Sequence, residues 1–367
     1  MTSTPARARD LGISIGTLPT GPNNAITDVA GVRVGHTTLI SGDGPLHVGE
    51  GPVRTGVTVI MPNERPWEHP VFAAPFRLNG NGELTGLEWV RESGTLTSHI
   101  ALTNTHSVGV VRDALIAEEA AVRGADSLFF SLPVVGETWD GVLNDINGFH
   151  VRPEHVRQAL AAASTGPVAE GSVGGGTGMI CHGFKGGIGT ASRTVAAGYT
   201  VGVLVQANHG ERDRLTIDGV PVGRTLEKEF PQEPFFPTGR DSDGSIIVVV
   251  ATDAPLLPTQ CARVARRAAL GVGRVGGAGE NGSGDIMLCF STANELTDGF
   301  SREADAVSSV QMISNAHMDP LFYATIEATE EAIVNAMVAS PAMTGVNGRH
   351  VDALPIARVR ELLGVDA

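Results

Sequence analysis

The segment Gly244-Ser245-Ile246-Ile247-Val248-Val249-Val250-Ala251-Thr252-Asp253-Ala254-Pro255 decides the fold. Ile246 to Val250 are five consecutive β-formers, an apolar run too continuous for a half-exposed strand. Ser245 heads that strand. Asp253-Ala254-Pro255 then reads as a helix start, with proline just inside the helix. Upstream, Phe236-Pro237-Thr238-Gly239-Arg240-Asp241-Ser242-Asp243-Gly244 is polar and rich in turn-formers. The serine therefore stands where an exposed segment meets a buried strand, and a single peptide-bond cut there would separate the two.

The pattern continues in both directions. Val53 to Met61, Ile100 to Asn104, Ser127 to Val135, Thr200 to Ala207 and Ile286 to Phe290 read as strands. Val108 to Ala125, Pro153 to Ser164, Pro255 to Leu270 and Asp319 to Ala339 read as helices, with a shorter one near Leu84 to Glu92. Ala25 to Val29 and Val32 to His36 flank Gly31 in a hairpin-like pattern. Residues 209–244 form a long, charged, proline-rich loop, and loops of that length are usually functional or disordered. No internal repeat is present. Strands alternate with helices throughout, so a layered α/β architecture in one domain, 1–367, is expected.

Composition narrows the partners. The chain has 367 residues, enough for a sizeable core, and 42% of them are hydrophobic. The formal net charge is −14 without a basic block, which argues against nucleic acid or an anionic membrane. Cys181, Cys261 and Cys289 form no CxxC, so nothing calls for a zinc ribbon or an oxidising compartment. Residues 1–10 lack the apolar core of a signal peptide, and a cytoplasmic protein is the expectation.

Most local motifs fail on context. Gly271-Val272-Gly273-Arg274-Val275-Gly276 matches the dinucleotide fingerprint but follows a helix, where that fingerprint must follow a strand. Gly12-Ile13-Ser14-Ile15-Gly16 matches a nucleophile elbow without the required strand before it. The glycine tract Gly171 to Gly178 lacks the Gly-Lys-Ser/Thr ending of a phosphate loop. His182 and His209 read as structural or solvent-exposed, and neither a metal nor a cofactor is expected. Two features keep two readings each. Ser283-Gly284-Asp285 is a polar turn or a hydroxyl–carboxylate relay. Glu137 is a solvated charge or a recognition anion.

Several collinear blocks resemble the DmpA-type aminopeptidases (L-aminopeptidase/D-esterase-amidases) and the related β-peptidyl aminopeptidases. They are Asn24 to Val29 with Val34-Gly35-His36, Leu102 to Gly109, Gly171 to Gly178 with Gly183 to Thr190, Gln206-Ala207-Asn208, Gly244 to Val248, Ser283-Gly284-Asp285 and Asn315 to Asp319. The resemblance spans nearly the whole chain. It implies a four-layer αββα sandwich like that of N-terminal-nucleophile hydrolases, with DmpA-type connectivity. It also implies a precursor that cuts itself between Gly244 and Ser245 into an α-chain, 1–244, and a β-chain, 245–367.

The same resemblance makes Ser245 the nucleophile, supported by Ser283 and Asp285. Relatives often carry the longer Glu at the latter position. It puts the oxyanion-hole amide on Asn208 and the carboxylate that holds the substrate's free amine on Glu137. Trp139 stands where a DmpA-type relative has tyrosine; an indole donates a hydrogen bond but cannot accept one or shuttle a proton. The implied activity is release of N-terminal residues from short peptides, amides or esters, by a homo-oligomer of αβ units. Two alternatives stand beside it. One is an acyltransferase like the ornithine acetyltransferases, which use a threonine after the cut. The other is a catalytically impaired homologue.

Overall fold

The computed structural model describes residues 6–124, 126–231, 234–235, 244–297 and 306–365. In chain order the strands are β1 (Arg33–Ser41), β2 (Val53–Met61), β3 (Val71–Gly80), β4 (Thr95–Leu96), β5 (Ile100–Asn104), β6 (Val134–Thr138), β7 (Ile180–Cys181), β8 (Phe184–Lys185), β9 (Gly187–Thr194), β10 (Thr200–Asn208), β11 (Ser245–Thr252), β12 (Gly284–Ser291), β13 (Met343–Thr344) and β14 (His350–Val351). The helices are α1 (Leu87–Ser93), α2 (Val108–Arg123), α3 (Pro153–Ala161), α4 (Gly223–Glu229), α5 (Pro258–Arg274), α6 (Asp319–Val338) and α7 (Ile356–Leu362).

All eight residues of β11 are buried, as the apolar run requires. It lies inside a six-stranded sheet ordered β4-β3-β12-β11-β10-β9. Its alternate residues serve two cores. Ile246, Val248 and Val250 pack with Val264, Ala268 and Ile333 of α5 and α6. Ile247, Val249 and Ala251 pack with Ile60, Ile100 and Leu102 of a second sheet, ordered β1-β2-β5-β6. The outer face of that second sheet is covered by α2 and α3 through Val111, Leu115 and Val156. The layers run α2/α3, four-stranded sheet, six-stranded sheet, α5/α6, the expected αββα order.

Local chemistry sets the helix ends. α5 has proline at its first turn, and Gln260 Oε1 accepts the Leu257 N–H at 3.1 Å, closing its N-terminus. α6 is buried on nearly every side, so its acidic residues need partners. Arg193, fully buried on β9, reaches Glu331 at 2.7 Å and Glu327 at 3.1 Å. Arg9 adds a second contact to Glu331 at 2.8 Å, tying the N-terminal segment to the helix. Burial would push the Glu331 carboxyl up, but Arg9 and Arg193 together hold it below the ordinary glutamate value.

Four readings are corrected. The run Ser127 to Val135 is not a buried strand: pairing starts at Val134, and Leu128, Phe130 and Leu132 are exposed. Apolar composition alone does not distinguish a strand from an exposed apolar segment. Of the two readings of Glu137, the solvated charge fails: the residue lies in β6, buried inside the sheet. Ile26–Asp28 is a 3-10 turn and β1 pairs with β2, so there is no hairpin around Gly31. Residues 209–244 contain α4, whose seven residues are too few for a helical period to stand out.

Candidate active site

Strand register builds the site. Antiparallel pairing places Asn208, the last residue of β10, opposite Ser245, the first of β11. Parallel pairing places Ser245 beside Gly284 and Ile246 beside Asp285. Three segments distant in sequence thus bring Asn208, Ser245, Ser283 and Asp285 to one end of the large sheet. A register shift between Asp285 and Ile286 on the β3 side adds a bulge at that end, a device common beside active sites.

Ser245 is buried. Alternation puts it on the inter-sheet face with Ile247 and Val249. The bond before it is tightly packed. A Cβ built on Gly244 would stand 2.0 Å from the Asn208 carbonyl oxygen and 2.5 Å from the His209 Cα. Only glycine fits there.

Asn208 is fixed at both ends of its amide. The Ile180 N–H donates to Oδ1 at 2.8 Å, and Nδ2 donates to the Trp139 carbonyl at 3.1 Å. This assigns the amide orientation through its network and leaves one N–H of Nδ2 to offer.

The Ser283 hydroxyl donates to Asp285 Oδ1 at 2.6 Å. The other carboxylate oxygen, Oδ2, is buried without a partner among the described residues. Burial pushes this carboxyl up to about 6, against the Ser283 hydrogen bond and the Ile246 amide, which pull it down, while nearby Glu280 raises it. By strand alternation Asp285 shares the outer face with Ile246, Met287 and Cys289. The pair therefore addresses the main chain at Ser245 and Ile246, on the face opposite the Ser245 hydroxyl.

Glu137 is buried at the end of β6. The Glu83 N–H donates to its Oε1 at 2.8 Å, and the Thr105 hydroxyl donates to its Oε2. Burial raises this carboxyl above its usual value, and those two donors oppose the rise. A Cβ on Gly82 would lie 3.1 Å from both Glu137 Oε1 and the Gly284 Cα. Gly82 thus bridges the carboxylate to the strand position that pairs with Ser245. Trp139 is half-buried beside Val142, Leu143, Ile180, Phe235 and Met343.

Asn208, Ser245, Ser283 and Asp285 are therefore brought to one locus, with Trp139 joined to it through its carbonyl and Glu137 through Gly82, though Ser283 and Asp285 lie on a different face from the Ser245 side chain. Thr105, Glu83 and Gly82, which hold Glu137, carried no signal of their own. Neither did Ile180, which orients Asn208 through a main-chain N–H. Asp140 was also missed. It is buried beside Trp139, accepts from Asn144 at 3.0 Å, and burial pushes its carboxyl up to about 7.

A model of peptidase family S58 matches residues 24–351. The chain belongs to that family. It is 51% identical to the β-peptidyl aminopeptidase BapA of Sphingosinicella microcystinivorans, over 97% of this chain and 91% of that protein. A solved β-aminopeptidase from Burkholderia sp. superposes with a TM-score of 0.91 at 52% identity, covering 98% of this chain and 99% of the other. The L-aminopeptidase D-Ala-esterase/amidase of Ochrobactrum anthropi, described as a prototype serine aminopeptidase and a new variant of the Ntn hydrolase fold, superposes at 0.88. It is 44% identical and covers 98% of each chain. The S58 chain is accordingly a serine aminopeptidase of the DmpA-type Ntn hydrolase fold. These comparisons give no support to the acyltransferase alternative.

Proposed function

We propose that this aminopeptidase matures by cutting its own Gly244–Ser245 bond and then uses Ser245 as an N-terminal nucleophile on short peptides, amides or esters with a free amine. The observation that carries it is the packing of Gly244 against Asn208 and His209, which presents that one bond at the head of β11. In maturation the Ser245 Oγ attacks the Gly244 carbonyl carbon. The C–N bond breaks, the nitrogen takes a proton and becomes the Ser245 α-amine, and water hydrolyses the ester to free the Gly244 carboxylate. The products are 1–244 and 245–367.

In turnover the α-amine is the general base. Its reference pKa of about 7.7–8.0 leaves a fair fraction neutral near neutral pH. Ser283 and Asp285 lie on the main-chain side of Ser245, so they hold this amine and take up its charge after it removes the hydroxyl proton. Oδ2 of Asp285 has the free acceptor capacity for that. The second N–H of Asn208 Nδ2 faces the developing oxyanion, a donor whose removal typically costs about 2.7–4 kcal/mol.

Glu137 receives the substrate ammonium. An acylated N-terminus would leave that buried carboxylate unpaired, which makes the enzyme an exopeptidase by charge selection. Beside it, Trp139 and its apolar neighbours receive the side chain. We assign β-amino residues as the preferred N-terminal residue, following the names of the Sphingosinicella and Burkholderia relatives. The active form is an oligomer of αβ units, in line with the apolar Leu128, Phe130 and Leu132 left exposed.

A matched set of anilides tests this reading. The β-homo-residue substrate should be cleaved faster than its α-counterpart, and N-acetylation of either should abolish turnover. Glu137→Gln should lower kcat/KM for the free amine by about 10–100-fold, chiefly through KM. Equal turnover of free and acetylated substrates by the wild-type protein would overturn the role of Glu137.

A further inference from the structure

Behind the oxyanion side of the site lies a cluster that the proposed chemistry does not use. Cys181 ends β7, His182 follows it in the turn to β8, and His209 follows Asn208 at the end of β10. The His182 N–H donates to the His209 carbonyl at 2.8 Å, which clips the two segments together. Cys181 and His182 are fully buried and His209 is 2% exposed. One potential ligand atom from each of the three lies within 4.8 Å of the other two. The Cys181 Sγ and His209 Nδ1 are 3.8 Å apart. That spacing accommodates one ion bound at about 2.3 Å from sulfur and about 2.0 Å from nitrogen.

Two further observations separate this cluster from ordinary core packing. The Nε2 atoms of both His182 and His209 are buried without a hydrogen-bond partner. Buried polar atoms normally find one, and each exception calls for an explanation. The other ring nitrogen of His182, Nδ1, lies 2.9 Å from the Glu211 carbonyl. A carbonyl can only accept, so Nδ1 carries the proton and Nε2 presents its lone pair inward. Metal-binding histidines are oriented by this kind of outer hydrogen bond. The set contains one thiol, two imidazoles and no carboxylate, which selects a soft or borderline cation over Mg²⁺ or Ca²⁺.

We infer that Cys181, His182 and His209 form a three-ligand site for a thiophilic cation of the Zn²⁺ class. On binding, the Cys181 thiol gives up its proton to solvent and the thiolate, one nitrogen of His209 and Nε2 of His182 close around the ion. Such an ion joins the β7–β8 turn to the end of β10. Asn208 immediately precedes His209, and the Gly244 backbone rests against both, so the ion stiffens the wall behind the bond at Gly244–Ser245. This assignment differs from the expectation that these histidines are merely structural or exposed, and it stands independently of the catalytic roles.

Co²⁺ is the probe, because it reports its own ligands. The untagged full chain, stripped with chelator and dialysed against Co²⁺, should retain close to one ion per chain by elemental analysis. It should also show a near-ultraviolet thiolate-to-cobalt band and a higher Tm. Cys181→Ser should abolish the band, and His182→Gln should weaken uptake by about 10-fold or more. A Cys261→Ala/Cys289→Ala double variant should keep both band and uptake. Circular dichroism of each variant reports folding, and should Cys181→Ser not fold, His182→Gln and the double variant carry the comparison. No retained Co²⁺ in the wild-type chain, a band that survives Cys181→Ser, or a band lost in the double variant would each overturn the site.

Discussion

Gly244 and Asp285 illustrate how single residues set the chemistry. The Cβ that any other residue would add at 244 collides with the Asn208 carbonyl. Relieving such an overlap typically costs about 1–3 kcal/mol, which corresponds to a rate loss of about 10–100-fold if it is paid in the cleavage step. Gly244→Ala should therefore accumulate uncut chain in a time course of the freshly made protein, with Ser245 intact. Cleavage at the wild-type rate would remove the geometric role given to Gly244. Asp285 is held with its carboxyl raised to about 6. A group raised in this way stabilises the fold below its unfolded value, and that stability is lost as pH rises through about 6. Asp285→Asn should consequently raise the Tm of the Ser245→Ala chain at pH 8 but not at pH 4, while removing activity in the Ser245 background. A Tm unchanged at both pH values would show that the carboxylate is not strained by burial.

Whole elements explain what supports that site. β11 lies between two cores, so its register with β10 and β12 is specified from both faces. α6 lies over β9 and β10 and depends on buried charge. Glu331 is fully buried and is paired with Arg193 and Arg9. Removing one partner of a buried pair typically costs about 3–5 kcal/mol because the remaining charge is stranded. Arg193→Met should lower stability by that order in chemical denaturation. The folded Glu331 pKa lies below its ordinary 4.5. Its contribution is thus present above the unfolded value and is lost as pH falls through the folded one, so the variant and wild type should converge in acid. An undiminished gap at low pH would assign the loss to packing instead. The sequence made much of this legible: five β-formers fix β11, and the long helix read from Asp319 is α6, whereas the start signal at Pro255 falls three residues ahead of α5, which begins at Pro258. It did not show that Leu128, Phe130 and Leu132 stay outside, or that Glu137 ends a strand. Those outcomes depend on which neighbour each segment meets across the fold, and a local pattern carries no record of it.

At the scale of the molecule, the αββα order turns three distant segments into one locus. The hydroxyl–carboxylate pair Ser283–Asp285 was readable as two residues apart in sequence. That it addresses the main chain of Ser245, and not the hydroxyl, follows only from the parallel register of β11 and β12. Likewise Thr105, Glu83 and Gly82 converge on Glu137 from two other connections. The proposed mechanism needs one bond to be cut, because only then would Ser245 own the α-amine assigned as its base. Intact-mass analysis with N-terminal sequencing of the purified protein tests it directly. The account predicts two associated chains of about 25 and about 13 kDa, in proportion to the 38.0 kDa whole, the smaller beginning Ser245-Ile246-Ile247-Val248. Ser245→Ala should give a single uncut chain. An active wild-type protein that remains one 38.0 kDa chain, or whose smaller chain begins at another residue, would contradict it.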